Sequence, residues 1–136
     1  MRYKVTSESG VALILATFAT VFVTLLLAAM LDMLYIDTKV IYNHYKTQET
    51  FYAAEAGLEV VYAILKNDPN WNAGFTDVAM PEGSSMLVTV SVDNTNFPYI
   101  DVISTARKSS YRKTSRATYR VSGATAPYFI YVISRQ

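Results

Sequence analysis

The sequence feature that most constrains the fold is an uninterrupted apolar run near the N-terminus. Residues 11–31 contain no charged residue, no proline and no glycine, and their only polar side chains are three threonines. A helix rises about 1.5 Å per residue, so a helix of this length spans a hydrocarbon core of roughly 30 Å. The run therefore predicts a membrane-spanning helix and argues against a chain that is soluble throughout. About a hundred residues are left, enough for one small domain.

The ten residues before this run predict a short cytoplasmic leader, residues 1–10. The leader contains Arg2 and Lys4, whereas Asp32 and Asp37 follow the run. Positively charged flanks stay in the cytoplasm, so we expect a single-pass membrane protein whose bulk lies outside. A cleaved secretory signal is the alternative, but the apolar stretch of such signals is typically about 7 to 15 residues long.

Helical periodicity continues beyond the membrane segment. Neither proline nor glycine occurs in residues 11–56, and Asn67, Asp68 and Pro69 predict the end of the helix. We therefore predict one helix over residues 11–66, with an amphipathic extracytoplasmic part at residues 32–66. Its apolar stripe is expected at helical spacings, on Met33, Ile36, Val40, Phe51, Leu58 and Leu65.

The rest of the chain predicts a β-sheet head at residues 86–136, after a connecting loop at residues 67–85. Apolar and polar residues alternate over residues 86–93, which is strand periodicity. Residues 99–106 and 111–121 predict two further strands of an antiparallel meander, and residues 128–133 a fourth. Such a sheet must bury its apolar face on the upper helix, so the expected fold class is α+β.

These features together resemble type IV pilins and the pseudopilins of type II secretion. Their precursors have a short basic leader ending in glycine, a long apolar N-terminal helix and a small β-rich head. Within that superfamily, residues 9–15 (SGVALIL) and 48–59 (QETFYAAEAGLE) are similar to the PilX-like minor pilins. In that family a stretch reading Q-x-x-F-Y-A-A-E-A-G-L-E closes the N-terminal helix. The resemblance covers about residues 5–65.

The resemblance implies a processing site and a set of partners. A prepilin peptidase is expected to cut between Gly10 and Val11, with N-methylation of Val11. The implied partners are other pilins and minor pilins and the inner-membrane assembly platform, in a surface pilus or a periplasmic pseudopilus. The residues assigned to the assembly helix are Leu15, Phe51, Ala53, Ala54, Glu55, Ala56 and Gly57.

Leu15 departs from the pattern of major pilins, which carry glutamate at this fifth mature position. In the family that carboxylate neutralises the terminal amine of a neighbouring subunit, and an unpaired charge in hydrocarbon is costly. Leucine cannot form this pair. The departure therefore predicts a minor component, placed at a tip or in an initiation complex.

The small residues of the motif at residues 53–57 allow another backbone to approach closely. The approaching element is either a neighbouring helix or the head of the same chain, and the sequence favours neither. Glu55 is expected on the side of Phe51 and Leu58. As its partner we consider Lys66 or a neighbouring subunit, and simple exposure of the carboxylate is the alternative.

Charge is distributed unevenly along the chain. Residues 11–101 hold three basic and ten acidic residues, whereas residues 102–136 hold seven basic residues and no acid. The predicted basic patch comprises Arg107, Lys108, Arg112, Arg116 and Arg120. We expect it to contact an acidic surface of a neighbouring subunit. Binding to the phosphates of nucleic acid is a second, less favoured interpretation.

The sequence offers little for catalysis or metal binding. It has no cysteine, and His44, its single histidine, has no second ligand at metal spacing. We expect no catalytic residues, no metal site and no cofactor, and a structural subunit rather than an enzyme. Two alternatives stay open: a type II secretion pseudopilin, and a membrane-anchored module for DNA binding or adhesion.

Overall fold

The computed structural model describes residues 7–80, 84–123 and 125–136. One long helix is followed by five strands: α1 (Ser7–Leu65), β1 (Phe75–Ala79), β2 (Leu87–Asp93), β3 (Tyr99–Lys108), β4 (Tyr111–Ser122) and β5 (Phe129–Arg135). The strands form one antiparallel sheet in chain order, so each strand pairs with the next one along the chain. The α+β fold class is confirmed.

The chain divides into two compact units, the first ending at Tyr42 and the second beginning at Asn43. In the first unit, every side chain of α1 from Val11 onward is exposed. By its length and composition, α1 is able to cross a membrane. Its apolar side chains have no protein to pack against within this unit. This is typical of a helix that is surrounded by lipid or packs against helices of other chains.

The second unit has its core between the C-terminal part of α1 and one face of the sheet, here called the inner face. The helix contributes Ala53, Ala54, Leu58, Val61 and Leu65. Alternate residues of the strands bury their side chains against it, as period-two patterning requires. These are Val88, Val90, Ile100, Val102, Ala106, Ala117, Tyr119, Val121 and Ile130, and they are joined by Met86, which directly precedes β2.

Glycine at position 57 sets how closely helix and sheet approach each other. A Cβ atom at Gly57 would lie 2.3 Å from Ser104 Oγ and 3.0 Å from a methyl of Val88. Ser104 lies opposite Ser115 in the β3–β4 register, and both are fully buried. Among the described residues neither serine hydroxyl has a hydrogen-bond partner. Small side chains at this point allow a close approach at the cost of two unpaired hydroxyls.

Three expectations about the fold need correction or adjustment. Residues 67–85 were expected to form a connecting loop, but they contain β1. This edge strand is short, its three central residues are exposed and its register shifts between Phe75 and Val78. Asp77 there has a positive φ of 54°. A strand of this kind has no regular alternation by which a sequence pattern reveals it. Within the described residues α1 covers Ser7–Leu65, against a predicted span of residues 11–66.

The buried face of α1 also differs from the predicted apolar stripe. Leu58 and Leu65 are fully buried, as that stripe requires, but Phe51 is 42% exposed. Ala54 and Thr50 occupy the buried positions one and two turns before Leu58. The pattern of large apolar residues predicted that Phe51 faces the sheet. Instead, the small and polar side chains of Ala54 and Thr50 face it.

Candidate functional site

The predicted processing site lies at the edge of the described residues. Gly10 and Val11 are part of α1, and both are exposed. The leader residues 1–6, with Arg2 and Lys4, lie outside the described residues. Cleavage before Val11 and its N-methylation therefore remain predictions.

Leu15 lies in the exposed, apolar first part of α1. Its side chain is exposed, as are those of its neighbours Leu13 and Ile14. Major pilins have a glutamate where this chain has Leu15, and residues 11–31 contain no other carboxylate that could replace it. A terminal amine in this part of the helix would have no acidic group in the same segment to pair with.

The motif at residues 48–59 is divided between two faces of the helix. Ala53, Ala54 and Gly57 face the sheet of the same chain and are buried. Phe51, Tyr52 and Ala56 lie on the other side and are exposed. Within this chain, therefore, the small residues allow the sheet of the same chain to approach the helix closely. The outward face is left with two aromatic rings in edge-to-face contact, their centroids 5.7 Å apart.

An apolar groove lies beside this outward face. It has a volume of about 640 Å³ and is lined mainly by apolar side chains from α1 and from the residues that flank β1 and β2. They include Tyr45, Tyr52, Ala56, Val60, Met80 and Met86. Exposed apolar surface of this kind marks sites of interaction with other proteins or lipids.

Glu49 connects the helix to the β3–β4 hairpin. Its carboxylate lies 2.6 Å from Lys108 Nζ and 3.0 Å from Lys46 Nζ. The hydrogen bonds from Lys108 and Lys46 lower the pKa of Glu49. Tyr111, at the other side of the hairpin, donates a hydrogen bond to Asn43 Oδ1. These contacts fix the hairpin to α1 at the start of the second unit.

Glu55 is neither unpaired nor bound to Lys66. It forms an ion pair with Arg135 at the end of β5, and the same guanidinium lies 2.9 Å from Glu59 Oε1. Lys66 instead lies over the ring of Tyr62, 4.6 Å from its centroid. Sequence reasoning missed Arg135. The signal was Glu55 and Glu59 at i and i+4 on one helix face, where a single cation can satisfy both.

The predicted basic patch is only partly assembled. Arg112, Arg116 and Arg120 all lie on the outer face of the sheet, opposite the core, and are exposed. We call these three residues the arginine stripe. Lys108 does not join them, since it reaches α1 and binds Glu49. Arg107 lies on the outer face but pairs with Asp77 at 2.6 Å.

Acidic residues share the outer face with the arginine stripe. Asp93 and Asp101 lie opposite each other in the β2–β3 register, and both are exposed. Asp77 is the third carboxylate, already paired with Arg107. The sequence pattern missed this mixture because the acids come from three strands, β1, β2 and β3, which only the folded sheet brings beside the arginines of β4. The face is therefore polar and of mixed charge rather than uniformly basic.

Comparison of the chain with known proteins gives no match to a protein-family model, to a curated protein or to a solved structure. Within the described residues no group of three or more histidine, cysteine, aspartate or glutamate side chains is placed to hold a metal ion. His44 is exposed on α1. The surfaces of this molecule thus consist of an apolar helix, an apolar groove and a mixed-charge sheet face.

Proposed function

We propose that this chain is a minor pilin or pilin-like subunit that joins and promotes assembly of a type IV pilus-like filament. Its place is at the tip or in the initiation complex, and its role is structural rather than catalytic. The observation that supports the proposal is that α1 combines two stretches with different surroundings. One continuous helix joins an apolar, fully exposed stretch to a stretch packed on an antiparallel sheet.

The exposed surface of α1 supports an assembly role. Its first part presents apolar side chains on every side, a surface that is stable in lipid or between other helices. In the second unit, Tyr52 and Val60 remain exposed beside the apolar groove. A helix that served only as a tether has no need of this second apolar surface. The proposed occupants are the helices of other pilins and minor pilins.

Leu15 supports a place outside the repeating body of the filament. A filament of identical copies would leave each buried terminal amine without a carboxylate. A single copy at a tip needs no such contact with a subunit beyond it. The proposal therefore includes low abundance in the filament.

The remaining partners follow from the same assignment. A prepilin peptidase removes the leader at Gly10, and the inner-membrane assembly platform receives the anchored subunit. The leader is cytoplasmic before cleavage, and the head lies outside, on a surface pilus or in a periplasmic pseudopilus. A type II secretion pseudopilin has the same architecture, and the genes beside this one distinguish the two systems.

A membrane-anchored receptor for DNA is the weaker alternative. Phosphate binding favours a continuous positive surface, and Asp93 and Asp101 lie beside Arg116 on the outer face. An anchored adhesion module remains compatible with this face.

The N-terminus and abundance of the assembled protein test the proposal. We expect sheared filaments to contain this chain beginning at Val11, and quantitative mass spectrometry to find it far scarcer than the most abundant pilin. The matched control is Gly10→Leu, expected to keep Met1 and to stay in the membrane fraction.

Three results oppose this proposal. Met1 on assembled material contradicts cleavage at Gly10. A copy number comparable with the most abundant pilin contradicts the role assigned to Leu15. A chain that is cleaved normally but never found in filaments, while it still retains DNA on the cell, favours the receptor.

A further inference from the structure

A polar hollow lies on the outer face of the sheet and is not used by the proposed assembly role. It has a volume of about 410 Å³, within the range of small-molecule sites. The strand register places four polar residues in one row across β2, β3, β4 and β5. This row consists of Asp93, Asp101, Thr118 and Ser134, and Arg116 lines the hollow beside it.

The two carboxylates of the row are only partly satisfied. Asp93 Oδ1 accepts hydrogen bonds from the backbone N and Oγ1 of Thr95, at 3.0 and 2.7 Å. Asp101 Oδ1 accepts one from Thr118 Oγ1 at 2.6 Å. Among the described residues, no donor lies on the second oxygen of either carboxylate. Two like charges opposite each other on neighbouring strands are also destabilising, so this position favours a ligand that supplies donors.

Arg116 adds the complementary function. Its side chain is exposed at the hollow, and no described residue forms an ion pair with it. A guanidinium has five N–H donors and no acceptor. The hollow thus presents acceptors and donors side by side, the pattern that recognises a group which both donates and accepts hydrogen bonds.

Two tyrosines lie in the next row of the outer face, outside the residues that line the hollow. Tyr99, Arg120 and Tyr131 form the next row, because the register pairs Tyr99 with Arg120 and Arg120 with Tyr131. The two tyrosines are 44% and 55% exposed. Arg120 lies 6.0 Å from the centroid of the Tyr99 ring. Exposed tyrosines offer a rigid apolar face with a polar end.

We propose that this hollow binds an uncharged glycan. Sugar hydroxyls donate to the free oxygens of Asp93 and Asp101, Arg116 donates to sugar oxygens, and Tyr131 packs against the apolar C–H face of a pyranose ring. A polyanion is disfavoured because the two carboxylates repel it. A calcium ion needs six to eight oxygen ligands, more than the two carboxylates supply, and Arg116 opposes it. The site is independent of whether the chain assembles into a filament.

The test uses the full chain in a detergent without a sugar headgroup, so that the detergent does not compete. The probes are an array of neutral oligosaccharides of glucose, galactose, mannose and N-acetylglucosamine, together with oligothymidylate and duplex DNA. The variants are Arg116→Gln, the double change Asp93→Asn with Asp101→Asn, and Tyr131→Ala. Arg112→Gln, on the same strand and face but outside the hollow, is the matched control. Urea unfolding followed by Trp71 fluorescence establishes that each variant is folded.

We expect at least one neutral glycan to bind. Arg116→Gln should raise the dissociation constant of that glycan about tenfold or more, the loss of affinity expected for one charge-assisted hydrogen bond. The double aspartate variant and Tyr131→Ala should also raise the dissociation constant, and Arg112→Gln should leave it unchanged. Failure of every glycan on the array to bind overturns the proposal, as does binding that is indifferent to Arg116→Gln and to the double variant. Binding of oligothymidylate or DNA that falls equally with Arg112→Gln and Arg116→Gln also overturns it, in favour of nucleic acid.

Discussion

The two parts of α1 have the same secondary structure for different physical reasons. Up to Tyr42 every side chain whose burial is described is exposed, and residues 11–31 of this segment are apolar on all sides. From Thr50 to Leu65 one face is fully buried and the other is not. A uniformly apolar helix depends on lipid or other helices, whereas a one-sided helix depends on its own sheet. The comparison teaches that hydrophobicity and burial need not coincide: the more apolar part of this helix is the part that its own chain does not cover.

The largest expected effect comes from removing a large side chain in the packed part. We predict that Leu58→Ala lowers the free energy of unfolding of the head by about 3 kcal/mol, since Leu58 is fully buried and the change leaves a cavity. Urea unfolding of the full chain in detergent measures it, with Trp71 as the reporter because it packs against the core.

Leu26→Ala is the matched control in the first part of the helix. Leu26 is exposed in its unit, so its truncation should leave the unfolding of the head unchanged. Equal losses for the two substitutions would show that the two parts of the helix do not differ as described.

A second, smaller effect is expected where the helix approaches the sheet most closely. We predict that Gly57→Val destabilises the head by about 1 to 3 kcal/mol through overpacking, because even a Cβ atom at this position meets Ser104 Oγ and Val88. Ala56→Val, one residue earlier on the exposed side, is the control and should cost a few tenths of a kcal/mol. The same urea unfolding measures both.

A double-mutant cycle sharpens this prediction. Gly57→Ala should cost less in a Ser104→Ala background than in the native one, because the hydroxyl nearest the new Cβ is then absent. Strictly additive effects would mean that Ser104 does not limit the approach of helix and sheet.

The sequence predicts the regular parts of this fold and misses those that depend on distant partners. An uninterrupted apolar run and helical periodicity indicated most of α1, and the sequence also indicated the strands β2, β3, β4 and β5. The buried face of the helix was harder to predict because Ala54 and Gly57 contribute shape rather than hydrophobicity.

The candidate sites show the same limit. Arg135 and Glu59 lie 76 residues apart along the chain, and only the folded sheet brings them together. The outer face appeared basic because its arginines are close in sequence, whereas Asp93 and Asp101 reach it from other strands. Local patterns thus predicted a basic patch but not the acidic residues that share its face.

The smallest effect expected is the pH dependence of the contact that joins the packed part of the helix to the β3–β4 hairpin. Hydrogen bonds from Lys108 and Lys46 lower the pKa of Glu49 below its ordinary value of 4.5. A carboxyl group whose pKa is lower in the folded state stabilises that state above the unfolded pKa. This stabilisation is lost as the pH falls through the folded pKa.

Glu49→Gln should therefore lower the stability of the head near neutral pH, and the difference from the native chain should shrink as the pH falls below 4.5. Added salt should reduce the difference at neutral pH, since the ion pair is partly exposed to solvent. Asp37→Asn removes a carboxylate from the first part of the helix, where it is exposed, and should leave the unfolding of the head unchanged at every pH. If Glu49→Gln and Asp37→Asn have the same pH profile, the contact between Glu49 and Lys108 contributes nothing to the stability of the head. The difference between the two parts of the helix then rests on apolar packing alone.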